Sequence, residues 1–221
     1  RSSAPPEPVL SAISGTPRAI TLAGMQPAVN SADPYNPYYG RRIAVGIGIT
    51  DYEFWPALEG AVDDAQRTAK QLRQMGFDEV LEIYNKDATR IRLLQLLGVE
   101  LAQKTGKEDL ALIYFAGHGQ TETLPNGQKR GYIVPADADQ TDIFATAISM
   151  DTLRDLSNRL PAKHVYYAMD SCYSGLGFLR GLSTIPKTEG YVQKMTSKRA
   201  VQMIAAGAEG EQAMEVGGQG L

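Results

Sequence analysis

From residue 41 onward, runs of consecutive apolar residues alternate with segments in which apolar residues recur every three or four positions. The runs lie at 43–49, 80–84, 110–116 and 165–169, and a fifth follows at 200–206. Continuous apolar runs of this length are typical of strands that are buried on both faces of a parallel sheet. We therefore predict five such strands.

The segments between the runs predict helices, because their apolar residues fall on one helical face. The predicted helices cover about 62–75, 89–101 and 150–160. Thr89 and Ser149 stand where an N-cap would be needed for the second and third helices. Strands that alternate with helices in this way indicate an α/β sandwich with a mostly parallel central sheet.

Two regions depart from this alternation. After the third run, an Asn126-Gly127 pair lies between extended segments and predicts a β-hairpin that returns through residues 132–134. Residues 1–40 are rich in Pro, Ser, Ala and Gly and follow neither period. They are predicted to form a linker or N-terminal arm, so that the folded domain occupies 41–221.

His118 and Cys172 each follow the carboxyl end of a predicted strand. Catalytic groups collect at that edge of α/β sheets. An imidazole can take the proton of a thiol or stabilise the thiolate, so this pair predicts a cysteine nucleophile with a histidine base. Gly119 follows the histidine directly, and its backbone N–H would form an oxyanion hole together with that of Cys172.

Each of these residues also has a structural interpretation. A lone cysteine is commonly a small buried apolar residue, and a lone histidine at a strand end is commonly structural. Their shared position at strand ends, beside glycines, favours catalysis by His118 and Cys172 together. The other histidine, His164, begins the fourth strand at the end opposite Cys172, and we predict that it is structural.

Composition restricts the classes of function. The chain has 221 residues and a formal net charge of -3, which gives no reason to expect nucleic acid as a partner. No apolar run approaches the roughly 18 residues of a membrane span, so no membrane partner is expected. Cys172 is the only cysteine, which excludes an internal disulfide and a cysteine-based zinc site. The chain begins at Arg1, so we expect that a natural N-terminus was removed, and no compartment is assigned.

Two motifs carry a resemblance to a known family. Residues 114–119 read Tyr-Phe-Ala-Gly-His-Gly, and residues 169–175 read Met-Asp-Ser-Cys-Tyr-Ser-Gly. They resemble the histidine and cysteine boxes of the caspase-like cysteine peptidases, peptidase family C14. Within this family, the two motifs are most similar to the corresponding boxes of metacaspases and bacterial orthocaspases. A histidine about 50 residues before the cysteine is typical of this group. The resemblance implies a caspase-like catalytic domain over 41–221 that hydrolyses peptide bonds without a cofactor.

The resemblance also implies a specificity. Residues 58–65, Leu-Glu-Gly-Ala-Val-Asp-Asp-Ala, are similar to the metacaspase segment whose last aspartate lines the primary substrate pocket. Asp64 and Asp170 would then form an acidic pocket that binds Arg or Lys and repels an acidic side chain. The implied substrates are proteins or peptides cleaved after Arg or Lys. The alternative for Asp64 is a solvated carboxylate in the first turn of a helix.

Some residues depart from the family pattern. Ala116 replaces the serine that some metacaspases carry two places before the histidine. Asp137, Asp139 and Asp142 do not reproduce the aspartate spacing of calcium-dependent members, so we expect a solvated loop and no metal requirement. The basic residues between 176 and 199 make this stretch a candidate for self-cleavage.

Residues 217–221 resemble the lead into the sixth strand of the family, so we expect that the small-subunit-like part is missing and that a second, complementary C-terminal chain would complete the fold. Gly46-Ile47-Gly48 lacks the third glycine of a dinucleotide-binding loop. A catalytically silent scaffold and a legumain-like or separase-like enzyme remain as alternatives.

Overall fold

The computed structural model describes residues 38–171 and 197–205. Every described residue belongs to one compact unit, and the predicted N-terminal arm lies outside the described residues up to residue 37. In chain order, the regular elements are β1 (Arg42–Gly48), α1 (Ala61–Gln74), β2 (Glu79–Tyr84), α2 (Arg90–Gln95), α3 (Leu101–Lys104), β3 (Leu110–Ala116), β4 (Gly119–Thr123), β5 (Lys129–Ile133), α4 (Ile143–Thr146), β6 (Ile148–Ser149), α5 (Met150–Arg159), β7 (His164–Asp170) and β8 (Ala200–Ala205).

The central sheet has the order β2-β1-β3-β7-β8, and all its pairings are parallel. The predicted α/β architecture with a mostly parallel sheet is therefore confirmed, and each predicted strand is present. β1 is buried along its whole length because it lies in the interior of the sheet, with β2 on one side and β3 on the other. This explains why its sequence is continuously apolar.

Helix α1 packs very closely on β1. A Cβ atom at Gly48 would lie 2.8 Å from the carbonyl oxygen of Ala61 and 2.8 Å from the Cβ of Ala65. The glycine therefore allows the first turn of α1 to approach the end of the strand. This contact fixes the turn that carries Asp63 and Asp64.

The second predicted helix is a continuous stretch of three parts. α2 and α3 are joined by a π-helical segment, Leu96–Glu100. Thr89 is its N-cap and accepts a hydrogen bond from the backbone N–H of Arg92, as predicted. None of the helices among residues 38–171 and 197–205 is long and apolar enough to cross a membrane.

A small antiparallel sheet, with the order β4-β5-β6, lies after β3 in the chain. The β4–β5 hairpin is the one predicted from Asn126 and Gly127, and Gly127 has the positive φ of 81° that this turn requires. The sequence did not predict α4 or β6, because elements of four and two residues are too short to show a period. Ser149 caps α5 as predicted and accepts a hydrogen bond from the N–H of Thr152.

Candidate active site

His118 lies immediately past the end of β3, and the strand register places it beside the end of β7. Ala116 is the register partner of Asp170, and the backbone N–H of Gly117 donates to the carbonyl oxygen of Asp170 at 3.3 Å. Because the strands are parallel and in register, the residues that follow Ala116 and Asp170 leave the same edge of the sheet. Cys172, two residues beyond Asp170, lies outside the described residues.

The imidazole of His118 is held by a segment that follows β1. Its Nε2 lies 2.9 Å from the carbonyl oxygen of Pro56. A carbonyl can only accept, so Nε2 carries the proton in this contact, and in the neutral imidazole Nδ1 is then the nitrogen with the lone pair. The aromatic rings of Tyr52 and Trp55 pack against the imidazole, with centroids at 4.8 and 5.6 Å.

These three neighbours of His118 were not predicted from the sequence. Tyr52, Trp55 and Pro56 carry no recognised motif, and they stand more than 60 residues before the histidine. The available signal was a cluster of aromatic residues directly after the carboxyl end of a buried strand, where catalytic groups collect.

The backbone N–H of Gly119 is not used by the β4–β5 hairpin. The N–H of Val134 donates to the carbonyl oxygen of His118 at 3.0 Å, and the next pair along the ladder is Gly119 with Ile133. In antiparallel pairing, residues that exchange hydrogen bonds alternate with residues that do not. The N–H of Gly119 is therefore directed away from β5, which leaves it available to a ligand at this edge.

An acidic group lies on the α1 side of the same strand ends. The hydroxyl of Tyr114, on β3, donates to a carboxylate oxygen of Asp170 at 3.0 Å. Burial, with a smaller contribution from the negative charge of Asp64, raises the pKa of Asp170, and the hydrogen bond from Tyr114 partly opposes this increase. The negative charge of Asp64 therefore disfavours the ionised form of Asp170.

The same environment also shifts the pKa of Tyr114. Burial, followed by the charge of Asp170 and its hydrogen bond, raises the pKa of Tyr114 well above its usual range. The hydroxyl therefore stays protonated and remains a donor. The carboxylate of Asp64 is mostly buried, at 14% exposure, and pairs with the guanidinium of Arg67 one turn further along α1.

The three aspartates after the histidine box accept hydrogen bonds from backbone N–H groups. Asp137 accepts from the N–H of Arg90 at 2.7 Å, and Asp142 caps α4. Asp139 accepts two hydrogen bonds from Thr141, which lower the pKa of its carboxyl group. Within the part of the chain that the structure describes, no three His, Cys, Asp or Glu residues form a group that could hold a metal ion.

His164 lies at the other end of the sheet, as predicted. It is the register partner of Leu110, the first residue of β3. Its Nδ1 lies 2.6 Å from the hydroxyl of Tyr39, and its Nε2 lies 2.9 Å from the carbonyl oxygen of Lys198. These contacts join β7 to the segments on either side and give His164 a structural role.

The fold and the strand ends therefore define an α/β sandwich with a histidine and two interacting carboxyl groups at the carboxyl edge of a parallel sheet. A family model described as the caspase domain matches residues 41–220. The chain belongs to this caspase-domain family of cysteine-type peptidases, peptidase family C14.

A solved structure supports the fold separately. The crystal structure of protein GSU0716 from Geobacter sulfurreducens matches with a TM-score of 0.51 and 24% sequence identity. The match covers 61% of this chain and 52% of that one, so the chain spans about half the length of the solved protein. Among curated proteins, none matches this sequence.

Proposed function

We propose that this chain is the catalytic part of a cysteine endopeptidase that cleaves after Arg or Lys. The observation that carries the proposal is the register of β3 and β7, in which Ala116 is paired with Asp170. That register brings the ends of β3 and β7, which His118 and Cys172 follow in the sequence, to one edge of the sheet. It also places Asp170 where the negative charge of Asp64, on α1, acts on its carboxyl group.

In the proposed reaction, Cys172 and His118 act as a dyad. The Nδ1 of His118 takes the proton of the Cys172 thiol, and the sulfur attacks the carbonyl carbon of the scissile bond. The Nε2–H group donates to the carbonyl oxygen of Pro56, 2.9 Å from Nε2, which keeps the imidazole in the tautomer that presents Nδ1 as a base.

The tetrahedral intermediate carries a negative oxygen. The N–H groups of Gly119 and Cys172 would stabilise this oxygen, and the outward direction of the Gly119 N–H supports that role. The imidazolium of His118 then gives its proton to the leaving amine, which breaks the C–N bond and leaves an acyl-enzyme on the sulfur. Water, deprotonated by His118, hydrolyses the thioester and restores the thiol. The sequence of steps requires no metal.

The preference for a basic side chain rests on the acidic pocket. Asp64 and Asp170 repel each other, so a guanidinium or ammonium between them would relieve the repulsion and gain charge-assisted hydrogen bonds. An aspartate in the same place would add a third negative charge to a partly dehydrated site. The pocket therefore favours Arg or Lys at the residue before the scissile bond and disfavours Asp.

Completion of the fold by a further C-terminal segment or chain is part of the proposal. Within the described residues, β8 is an edge strand of the central sheet. Its Ile204 side chain is 68% exposed. An exposed apolar side chain on an edge strand is expected where another strand or chain packs.

Fluorogenic peptides that end in Arg, Lys or Asp test the proposal directly. Wild-type protein and the Cys172→Ala variant are compared, with calcium chelated in half of the samples. We expect turnover of the Arg and Lys peptides alone, its loss in the variant, and no effect of chelation. Cleavage after Asp would refute the assignment of the pocket but leave the dyad intact. No turnover of any peptide would favour a catalytically silent scaffold.

A further inference from the structure

We propose that Tyr52 is a positioning residue that holds both the main chain and the imidazole of His118 in the catalytic geometry. This inference rests on the proposed function for its kinetic consequences. Its structural basis is three separate contacts at one side chain, which involve the hydroxyl, the ring and the neighbouring Gly117.

The first contact is a hydrogen bond to the main chain. The backbone N–H of His118 donates to the hydroxyl oxygen of Tyr52 at 2.8 Å. The carbonyl oxygen of His118 accepts a hydrogen bond from the backbone N–H of Val134. His118 and Val134 thus stand as a hydrogen-bonded pair directly beyond the β4–β5 ladder. In such a pair the N–H of His118 would normally return to the carbonyl of Val134. The tyrosine hydroxyl takes the place of that carbonyl and draws the main chain of His118 toward the segment after β1.

The second contact is ring packing. The rings of Tyr52 and His118 lie 4.8 Å apart at 42°, while Nε2 of His118 reaches the Pro56 carbonyl. One face of the imidazole is therefore supported by Tyr52, and one ring atom is fixed by Pro56. Together, the two contacts restrict both rotation of the ring and sliding of the loop.

The third contact explains a glycine of the histidine box. A Cβ atom on Gly117 would lie 2.7 Å from the Tyr52 hydroxyl oxygen and 2.8 Å from Cζ of Phe115. Atoms at such distances overlap, so any side chain at Gly117 would have to displace the tyrosine or the phenylalanine. We infer that this glycine leaves room for the Tyr52 hydroxyl to reach the next residue.

Tyr52 is itself rigidly held. The N–H of Thr50 donates to the side-chain oxygen of Asn85 at 2.8 Å, and the N–H of Glu53 donates to the carbonyl oxygen of Ala136 at 2.9 Å. These bonds tie the segment on both sides of Tyr52 to β2 and to the loop after β5. Burial raises the pKa of the Tyr52 hydroxyl well above its usual range, so the group stays protonated.

The expected consequence concerns the chemical step more than substrate binding. The loop that Tyr52 holds carries the base, His118, and the next N–H, that of Gly119, which is the proposed oxyanion donor. Loss of the hydroxyl would leave the N–H of His118 without its acceptor and allow both groups to shift. The hydrogen bond and the ring packing of Tyr52 involve His118 and neither Asp64 nor Asp170, so binding of the basic side chain would be little affected.

The test compares Tyr52→Phe with Tyr167→Phe in the full chain. Both substitutions remove one tyrosine hydroxyl that makes a hydrogen bond and keep the ring; in Tyr167 that bond joins Ser157 at 2.8 Å. For Tyr52→Phe we expect a decrease in kcat of about tenfold to a hundredfold on an Arg peptide, with KM changed less than twofold. For Tyr167→Phe we expect wild-type kcat. The two variants should lose comparable thermal stability.

A second readout does not depend on turnover. The chain has two histidines, so the imidazole nitrogen resonances in an NMR spectrum can be assigned with a His118→Ala variant. In wild-type protein, His118 should show one tautomer, with the proton on Nε2. In Tyr52→Phe its resonances should move toward averaged tautomers, while those of His164 stay unchanged.

Two results would overturn the inference. One is a Tyr52→Phe variant with wild-type kcat, and the other is a His118 tautomer that does not respond to the substitution. A wild-type chain that cleaves no peptide would refute the proposed function, but the NMR comparison would still decide whether Tyr52 orients His118. Gly117→Ala serves as a second variant, because it should produce the same change at His118 while the Tyr52 hydroxyl is retained.

Discussion

The Tyr114 hydroxyl donates a hydrogen bond of 3.0 Å to the carboxylate of Asp170, across the pairing of β3 and β7. The charge of Asp64 also acts on both groups. Tyr114 was not among the site residues predicted from the sequence, since a tyrosine within an apolar strand resembles a core residue. Its hydroxyl links the histidine strand to the proposed specificity pocket.

Removal of this hydroxyl should make cleavage more sensitive to acid. Burial already raises the pKa of Asp170, and the hydrogen bond from Tyr114 lowers it, so Tyr114→Phe should raise it further. The fraction of ionised Asp170 then falls at a higher pH than in wild type. We expect the acid limb of kcat/KM for an Arg peptide to move to higher pH, so that the variant is slower than wild type on the acid side and similar to it on the alkaline side. The measurement is the pH profile of kcat/KM, and an unshifted acid limb would contradict it.

The two pocket aspartates should both be needed for the basic preference. Asp64→Asn and Asp170→Asn should each lower kcat/KM for Arg peptides by about a hundredfold, because each removes one charge from a partly dehydrated ion pair with the substrate. The matched control is Asp63→Asn, one residue earlier in the same turn of α1 and exposed to solvent. If Asp63→Asn lowers kcat/KM as much as Asp64→Asn does, the loss arises from a change in the helix and not from the pocket.

Arg67 should compete with the substrate for Asp64. Its guanidinium is about half exposed and pairs with the Asp64 carboxylate, which is mostly buried. A substrate arginine would have to displace or share this contact, so Arg67→Gln should lower KM for Arg peptides by about twofold to fourfold and leave kcat unchanged. Initial rates at several substrate concentrations distinguish the two parameters. An increase in KM would instead indicate that Arg67 helps to shape the pocket.

The close packing of α1 on β1 should make Gly48 sensitive to a single methyl group. Gly48→Ala would place Cβ 2.8 Å from the Ala61 carbonyl oxygen, and we expect a loss of about 1–3 kcal/mol in the free energy of unfolding. Gly46→Ala on the same strand is the control, since its Cβ would meet its neighbours at 3.6 Å or more. Urea unfolding of both variants provides the comparison. Equal losses would mean that strand conformation, and not the helix contact, requires glycine.

Self-cleavage, if it occurs, should avoid the basic residues next to β8. Lys198 uses its carbonyl oxygen to contact His164, and the guanidinium of Arg199 donates to the carbonyl oxygen of Ser157 at 2.6 Å. Neither residue can enter an active site without breaking these bonds. We expect mass spectrometry of the aged protein to show cuts after Arg180, Lys187 or Lys194, which lie outside the described residues. Cleavage after Lys198 or Arg199 would contradict this expectation, and an absence of cuts between 177 and 200 would exclude self-cleavage in this stretch.

Much of the architecture was determined by the sequence itself, for a local physical reason. The strand Arg42–Gly48 is buried along its whole length, so residues 43–48 are all apolar, and the run can be recognised without knowledge of its neighbours. Caps at Thr89 and Ser149 are likewise local, because a side chain bonds a backbone group three residues away. The candidate dyad followed from the position of His118 and Cys172 at strand ends.

The contacts around His118 and Asp170 were decided only by the tertiary structure. Tyr52 and Pro56 reach the histidine because β1 and β3 are adjacent and in register, and no local pattern encodes that adjacency. Tyr114 contacts Asp170 across 56 residues for the same reason. Strand order arises from the packing of the whole sheet, so a sequence can indicate which residues reach the catalytic edge, whereas the fold decides which of them contact one another.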